Sequence, residues 1–233
     1  MAKANSDSIF SLASRMANRM NSNDVSQERV DEIIKSGEQF WTCFDALVNA
    51  DNNTESQITS WEKFYKKYFS LDMKFDHAIV PQHQSGFDRL ILIPQGLSIN
   101  TAYSTCQEYF KCWKWMEGDI ESKMQESERG QTKTATARWF RDLVEADEKT
   151  ANKSANDLTR ENIQGITLLE CIVYEIKYFS ETGKHLNIKN ITLCSGSRWA
   201  GDGVPSAGWG GGGFGFSVVW YDAGVRDSGL RSR

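Results

Sequence analysis

Long apolar runs, an excess of basic charge, closely spaced cysteine pairs and metal-type histidine spacings are all missing from this 233-residue chain. No segment approaches the ~18 consecutive apolar residues of a membrane-crossing helix. The opening Met-Ala-Lys-Ala-Asn-Ser-Asp-Ser lacks the apolar centre of a secretory signal. A soluble chain without membrane insertion is therefore expected, with its location open between a virion-associated and a cytoplasmic one. Lys and Arg number 27 against 31 Asp and Glu, for a net charge of −4. Such a balance offers no basic face for a duplex, so no nucleic-acid partner is expected. The short cluster Lys63, Lys66 and Lys67 reads as a solvated helix face.

The 5 cysteines, Cys43, Cys106, Cys112, Cys171 and Cys194, are widely spaced and include no C-x-x-C. That argues against a zinc ribbon or a thioredoxin-type site and for reduced structural thiols. The 3 histidines, His77, His83 and His185, are too scattered to hold a metal. His185 reads as a charge partner at a helix C-terminus. Asp142/Glu145 and Asp147/Glu148 read as solvated charges rather than an acid–base dyad. No catalytic residue, metal or cofactor is expected, and the chain is not read as an enzyme.

What is present is 39% hydrophobic and 12% aromatic, a globular composition. Residues 1–74 carry three apolar helical stripes. The first runs through Ile9, Phe10, Leu12, Ala13, Met16 and Met20. The second runs from Val30 to Val48 around Phe40, Trp41 and Phe44, and the third joins Ile58, Trp61, Phe64, Tyr65 and Tyr68. Helices this amphipathic pack on each other, on the following domain or on a second copy of the chain, which would make a homo-oligomer.

Past residue 75 the pattern alternates. Phe87 to Ile93 is a short apolar run ended by Pro94 and Gly96, which predicts a strand covered on both faces. Ser98 caps a helix with Ile99, Ala102, Tyr103, Cys106, Tyr109 and Phe110 on one side. Lys111-Cys112-Trp113-Lys114-Trp115 has strand periodicity. Residues 117–133 form a charged excursion, Thr134 to Arg141 a strand, and 145–162 short helix and loop. Thr167 and Glu170 make a capping box for a helix over 166–182 that stops at Gly183. Ile188 to Leu193 is again a strand. The order predicts an α+β domain over 75–233 with a mixed or antiparallel sheet and two main helices, preceded by an N-terminal helical region.

Residues 199–229 differ from the rest. They hold ten of the 18 glycines and three of the 8 tryptophans, yet no Lys, Glu, Gln or Met. A flexible linker would not carry Phe214, Phe216, Val218 and Trp220 at period two, the mark of a strand with one buried face. Gly210 to Gly213 lacks the Lys-Ser/Thr and following helix of a phosphate-cradling loop.

Several blocks together carry a resemblance. They are Phe87-Asp88-Arg89-Leu90-Ile91-Leu92-Ile93-Pro94-Gln95-Gly96-Leu97, Gly165-Ile166-Thr167-Leu168-Leu169-Glu170, and Tyr178 through Leu186. Leu193-Cys194-Ser195-Gly196-Ser197-Arg198 and Leu230-Arg231-Ser232-Arg233 bracket the last part. Residues 75–233 resemble the variable proteins of diversity-generating retroelements found in archaea, their viruses and small-genome bacteria. The resemblance implies a C-type-lectin-like fold of the formylglycine-generating subtype. It also implies that adenine-directed mutagenesis rewrites asparagine codons in a repeat. Changing the first two bases of such codons cannot yield Lys, Glu, Gln, Met or Trp, which agrees with the composition of 199–229 if its tryptophans are fixed.

Carried over onto this chain, the diversified, ligand-binding candidates are Ala200, Gly203, Ser206, Gly208, Gly210, Gly211, Gly215, Ser217 and Val219. Tyr221, Asp222, Gly224, Val225, Arg226, Asp227 and Ser228 complete the set. Val204, Pro205, Trp209, Phe216, Val218, Trp220 and Leu230 would be scaffold. The implied function is recognition of a protein or other surface macromolecule that the sequence does not identify. The alternatives are a metal-independent carbohydrate-binding lectin, stacking sugars on Trp199 or Tyr221, and a structural or assembly subunit. The calcium-lectin motifs Glu-Pro-Asn, Gln-Pro-Asp and Trp-Asn-Asp are absent.

Overall fold

The computed structural model describes residues 54–76, 78–125, 134–209 and 215–233, with Ser26, Glu28 and Glu32 besides. The chain divides into two compact units, 1–53 and 54–233; the account below concerns the second. The stripes expected over 9–20 and 30–48, together with Cys43 and His77, lie outside the described residues. The third stripe falls inside the second unit, which begins at Thr54 rather than near residue 75.

The reason is a helix–strand contact. Residues 54–68 are helical (α1), and Trp61, Phe64 and Tyr65 are buried. Strand β1 (Arg89–Ile93) pairs on one side with β3 (Thr136–Phe140), antiparallel, from Arg89↔Phe140 to Ile93↔Thr136. Its other edge faces α1, and a buried strand edge must find partners for its backbone groups. Gln57, Trp61 and Tyr65, spaced i, i+4 and i+8, supply them from one helix face. Gln57 Oε1 accepts from Leu90 N at 2.8 Å and its Nε2 donates to Asp88 O at 3.1 Å. Trp61 Nε1 donates to Leu90 O at 2.8 Å and the Tyr65 hydroxyl to Leu92 O at 2.6 Å. Side chains of a helix thus stand in for a neighbouring strand.

Helix α2 (Ile99–Tyr109) starts at Ser98, whose side chain accepts from Thr101 N as the sequence predicts. It leads into β2 (Cys112–Lys114). Helix α3 (Ala155–Arg160) has a Ser154/Asp157 capping box. Helix α4 (Leu168–Thr182) has the expected Thr167/Glu170 box and ends at Gly183 in the left-handed conformation, φ 66°. Every residue from Leu168 to Lys177 is buried, so α4 is the central element. Three buried charges lie on it, Glu170 of the capping box, Glu175 and Lys177, and all are held by partners. Lys177 Nζ reaches Ser60 Oγ at 2.6 Å and Glu181 at 3.0 Å and lies over the Trp61 ring. Glu175 receives His185, Trp209 and the Leu186 backbone.

Strands β4 (Ile191–Leu193), β5 (Gly203–Gly208), β6 (Phe216–Asp222) and β7 (Leu230–Arg231) join β2 in a five-stranded sheet of order β2-β6-β5-β4-β7. The β2–β6 and β4–β7 pairs are parallel and the other two antiparallel. The domain is therefore α+β with a mixed sheet. Strand β5 has no strand-like composition, being Gly-Val-Pro-Ser-Ala-Gly. Its Pro205 is tolerated because β4 pairs only up to Ser206, so the missing N–H falls at the end of that ladder. The Pro205 carbonyl still accepts from Cys194 N at 2.8 Å. Among the described residues no helix is long and apolar enough to cross a membrane.

Candidate functional site

Strand β6 sorts residues 216–222 by face. Phe216 and Val218 enter the main core at 0% and 2% exposure. Trp220 shares their face but lies half-buried at the sheet end, stacked on Trp199 with ring centres 4.1 Å apart and planes at 13°. Ser217, Val219 and Tyr221 project to the opposite side and are half-buried. Above β5 that side is closed by a small core of Ala155, Leu193, Val204 and Ala223.

Strand β2 extends the side carrying Ser217. The parallel register sets Trp113 beside Ser217, and Trp115 N continues the pairing by donating to Val218 O at 3.0 Å. Trp115 is 62% exposed, and its ring meets Trp113 edge-on at 5.6 Å. A face of Trp113, Trp115, Ser217, Val219 and Tyr221 results. Sequence reasoning omits both tryptophans from the site. Their alternation with Lys114 marks them as sharing a face, but only the parallel pairing, between residues a hundred positions apart, puts that face beside β6.

The following loop is built from aspartate turns. Asp222 Oδ1 accepts from Gly224 N and Asp227 Oδ1 from Gly229 N, each at 2.7 Å. Arg226 grips the Asp157 carboxylate with Nε and Nη2, both at 2.6 Å. That contact, then the Ser154 hydrogen bonds, holds the Asp157 carboxyl well below the usual carboxylate range. Asp222, Gly224, Arg226, Asp227, Ser228 and Ala200 are exposed, and Val225 is half-buried. Arg226 is thus engaged inside the chain rather than held out towards a ligand.

Four candidates do not present a side chain to solvent. Ser206 is fully buried and donates to Val219 O at 3.2 Å. A Cβ on Gly208 would lie 3.3 Å from Asn187 Cβ, and one on Gly203 3.3 Å from Trp199 Cβ, beneath the Trp199–Trp220 stack. Gly215 has φ +90°, and a Cβ there would come within 2.0 Å of the Lys111 carbonyl oxygen. Close packing of the backbone, not variability, explains the small residues at these positions. Gly210, Gly211, the rest of the Gly210–Gly213 run and Phe214 lie outside the described residues.

The surface is fixed from beneath. Trp209 Nε1 donates to the buried Glu175 at 2.8 Å, and His185 Nδ1 lies 2.8 Å from the same oxygen. His185 also packs against the Trp209 and Phe179 rings at 3.7 and 5.0 Å between centres. It is therefore a partner of Glu175, not of the helix terminus. Of the acidic pairs, Glu148 is exposed and the other three members have partners within the fold. Asp142 binds Arg89, Glu145 accepts from Lys189 N and Asn190 N, and Asp147 meets Arg141.

The four described cysteines are free thiols, with Cys106, Cys171 and Cys194 buried and Cys112 half-buried, in keeping with reduced structural thiols. Cys112 Sγ lies 3.4 Å from Phe110 O and Cys194 Sγ 3.8 Å from Thr192 O. Burial pushes the Cys106 and Cys194 thiols up, away from the thiolate form. Among the described residues no group of three His, Cys, Asp or Glu side chains is placed to hold a metal ion. Compared with protein-family models, curated proteins and solved structures, the chain matches none of them.

Proposed function

We propose that this chain is a ligand-binding protein with a C-type-lectin-like scaffold, its C-terminal surface diversified by a retroelement, rather than an enzyme. The observation that carries the reading is the division of β6 and its loop. Core residues Phe216 and Val218 alternate with Ser217, Val219 and Tyr221 on an accessible face, and exposed Asp222, Gly224, Asp227 and Ser228 follow. A scaffold of this kind lets outward residues change while the inward ones hold the fold. The absence of Lys, Glu, Gln and Met from 199–229 supports the same reading, since rewritten asparagine codons cannot produce them.

The scaffold is rigid where it matters for recognition. Arg226–Asp157, Trp209–Glu175 and the Trp199–Trp220 stack fix the segment at three points, which limits the ordering cost on binding. The lectin-like reading draws on two helices, α2 and α4, packed together beside a mixed sheet. The partner is a protein or other surface macromolecule. A second reading, metal-independent carbohydrate binding, is favoured by the exposed Trp115 beside Trp113, since sugar faces stack on such rings. Trp199 has one face taken by Trp220 and suits this role less well.

Sequencing the gene's neighbourhood tests the proposal. It predicts a reverse-transcriptase gene and a near-identical template repeat whose adenines align with codons of the accessible set. Finding neither refutes diversification; a glycan array that captures the chain through Trp115 would favour the second reading.

A further inference from the structure

We infer that a cavity beside β3, away from the five-stranded sheet, is a binding site for one neutral sugar ring. Pro81, Gln82, Gln84, Phe87, Arg138 and Trp139 line it, and its volume is about 210 Å³. The segment that leads into β1 is held against β3 at both ends. At its start the Trp139 indole Nε1 donates to Pro81 O at 2.8 Å. At its end the Arg141 guanidinium lies over the Phe87 ring, 4.5 Å from its centre, and is itself bound to Asp147 at 2.6 Å. Between these points His83 meets Trp139 edge-on at 4.9 Å between centres and is pinned by Asp88 at 2.8 Å. A turn closed by Phe87 N donating to Gln84 O at 3.0 Å, with Gly86 at φ +83°, returns the chain to the strand. Fixed contacts therefore frame the cavity on every side that the chain supplies.

The walls combine two kinds of surface. Trp139, Phe87 and Pro81 offer apolar rings. Gln82 and Gln84 are exposed, and neither side-chain amide makes a hydrogen bond among the described residues. Each amide carries both donors and an acceptor. A pyranose has the matching halves, a C–H face that stacks on an aromatic ring and neighbouring hydroxyls that donate and accept. No carboxylate lines the cavity, so a cationic guest has no counter-charge there. Arg138, the one charged lining residue, is engaged, its Nη2 donating to Gln164 Oε1 at 2.9 Å. An uncharged guest follows. At roughly 30 Å³ per water the space equals about seven waters, below the ~300 Å³ of a drug-sized pocket. That is room for one ring and not for a chain of them.

This site goes beyond the diversification reading. Strand β3 lies in the two-stranded sheet, whereas the accessible face of β6 belongs to the five-stranded one. It is also separate from the Trp113–Trp115 face, because β2 pairs with β6.

The test is saturation-transfer difference NMR on the full-length protein with glucose, galactose, mannose and N-acetylglucosamine, and with glucuronic acid as the charged comparison. The inference expects transfer to the ring protons of at least one neutral sugar. Gln82→Ala and Gln84→Ala should each raise its dissociation constant roughly two- to tenfold, the loss of one hydrogen bond. Both residues are exposed, so neither change disturbs packing. Trp115→Ala should leave the binding unchanged, which separates this site from sugar stacking on β2. No transfer to any neutral sugar, transfer to glucuronic acid alone, undiminished affinity in the Gln82→Ala, Gln84→Ala double variant, or loss of binding with Trp115→Ala would overturn it.

Discussion

Replacing Gly215 by alanine is expected to be among the most damaging single changes in the sheet, although the resemblance places Gly215 among the variable positions. Its φ of +90° is one that an L-residue adopts at a cost of about 1–2 kcal/mol. The added Cβ would sit 2.0 Å from Lys111 O and 2.7 Å from Lys111 C. These are backbone atoms, so no side chain can swing away. Relief requires β2 to move, which strains the Phe216 N to Lys111 O hydrogen bond of 2.9 Å that begins the β2–β6 pairing. Overpacking of this kind costs a further ~1–3 kcal/mol. The sum is about 2–5 kcal/mol, a large part of the ~5–15 kcal/mol that holds a typical domain. Urea unfolding followed by tryptophan fluorescence measures it as a lower midpoint at unchanged slope. Gly224→Ala is the control, because that residue is exposed and only the Asp222 Oδ1 atom, 3.1 Å away, lies near its Cβ. It should fall within about 0.5 kcal/mol of the parent. A Gly215→Ala loss no larger than the control's would refute the steric argument and return Gly215 to the variable set.

Tyr65→Phe removes the hydroxyl that serves Leu92 O. Burial pushes the Tyr65 phenol well above its ordinary range, so it remains a donor, and its loss should destabilise by about 1–3 kcal/mol in urea unfolding; no change would mean that α1 does not complete the β1 edge. Arg226→Ala tests the depressed Asp157 carboxyl. A folded pKa below the unfolded one contributes stability above the ordinary carboxylate value of about 4, lost as pH falls through the folded pKa. The gap between parent and variant midpoints should therefore be widest near neutrality and close with acidification; a gap constant down to pH 2 contradicts the pairing. Calcium addition should leave the melting temperature unchanged, given no three-ligand group among the described residues; a rise would revive the calcium-lectin reading.

Elements with local signals were legible from the chain alone. Thr167 with Glu170 and Gly183 bracketed α4, Ser98 started α2, and alternation about Phe216 and Val218 marked β6. What stayed hidden depends on partners distant in sequence. Strand β5 shows no β-propensity because its place is set by two neighbouring strands, and its small residues are packing constraints from Asn187, Trp199 and β6. Read alone, Gly203, Ser206, Gly208 and Gly215 look permissive. In the fold Ser206 is buried and a Cβ on Gly215 would meet the Lys111 backbone, while one on Gly203 or Gly208 would lie 3.3 Å from a neighbouring side chain. The Gln57-Trp61-Tyr65 face gave an amphipathic signal but not its target, a strand edge. The reading of the cysteines as reduced structural thiols needed no distant partner, and the four described ones are free and largely buried.

The central claim is that this surface varies while its frame does not, and deep sequencing of the gene across a population of its source reads that directly. The account predicts adenine-derived substitutions concentrated at the codons of Ala200, Ser217, Val219, Tyr221, Asp222, Gly224, Asp227 and Ser228. Phe216, Val218, Trp220, Trp113 and Gly215 should be constant. Substitutions spread evenly over buried and accessible codons, or an invariant 199–229, would contradict it.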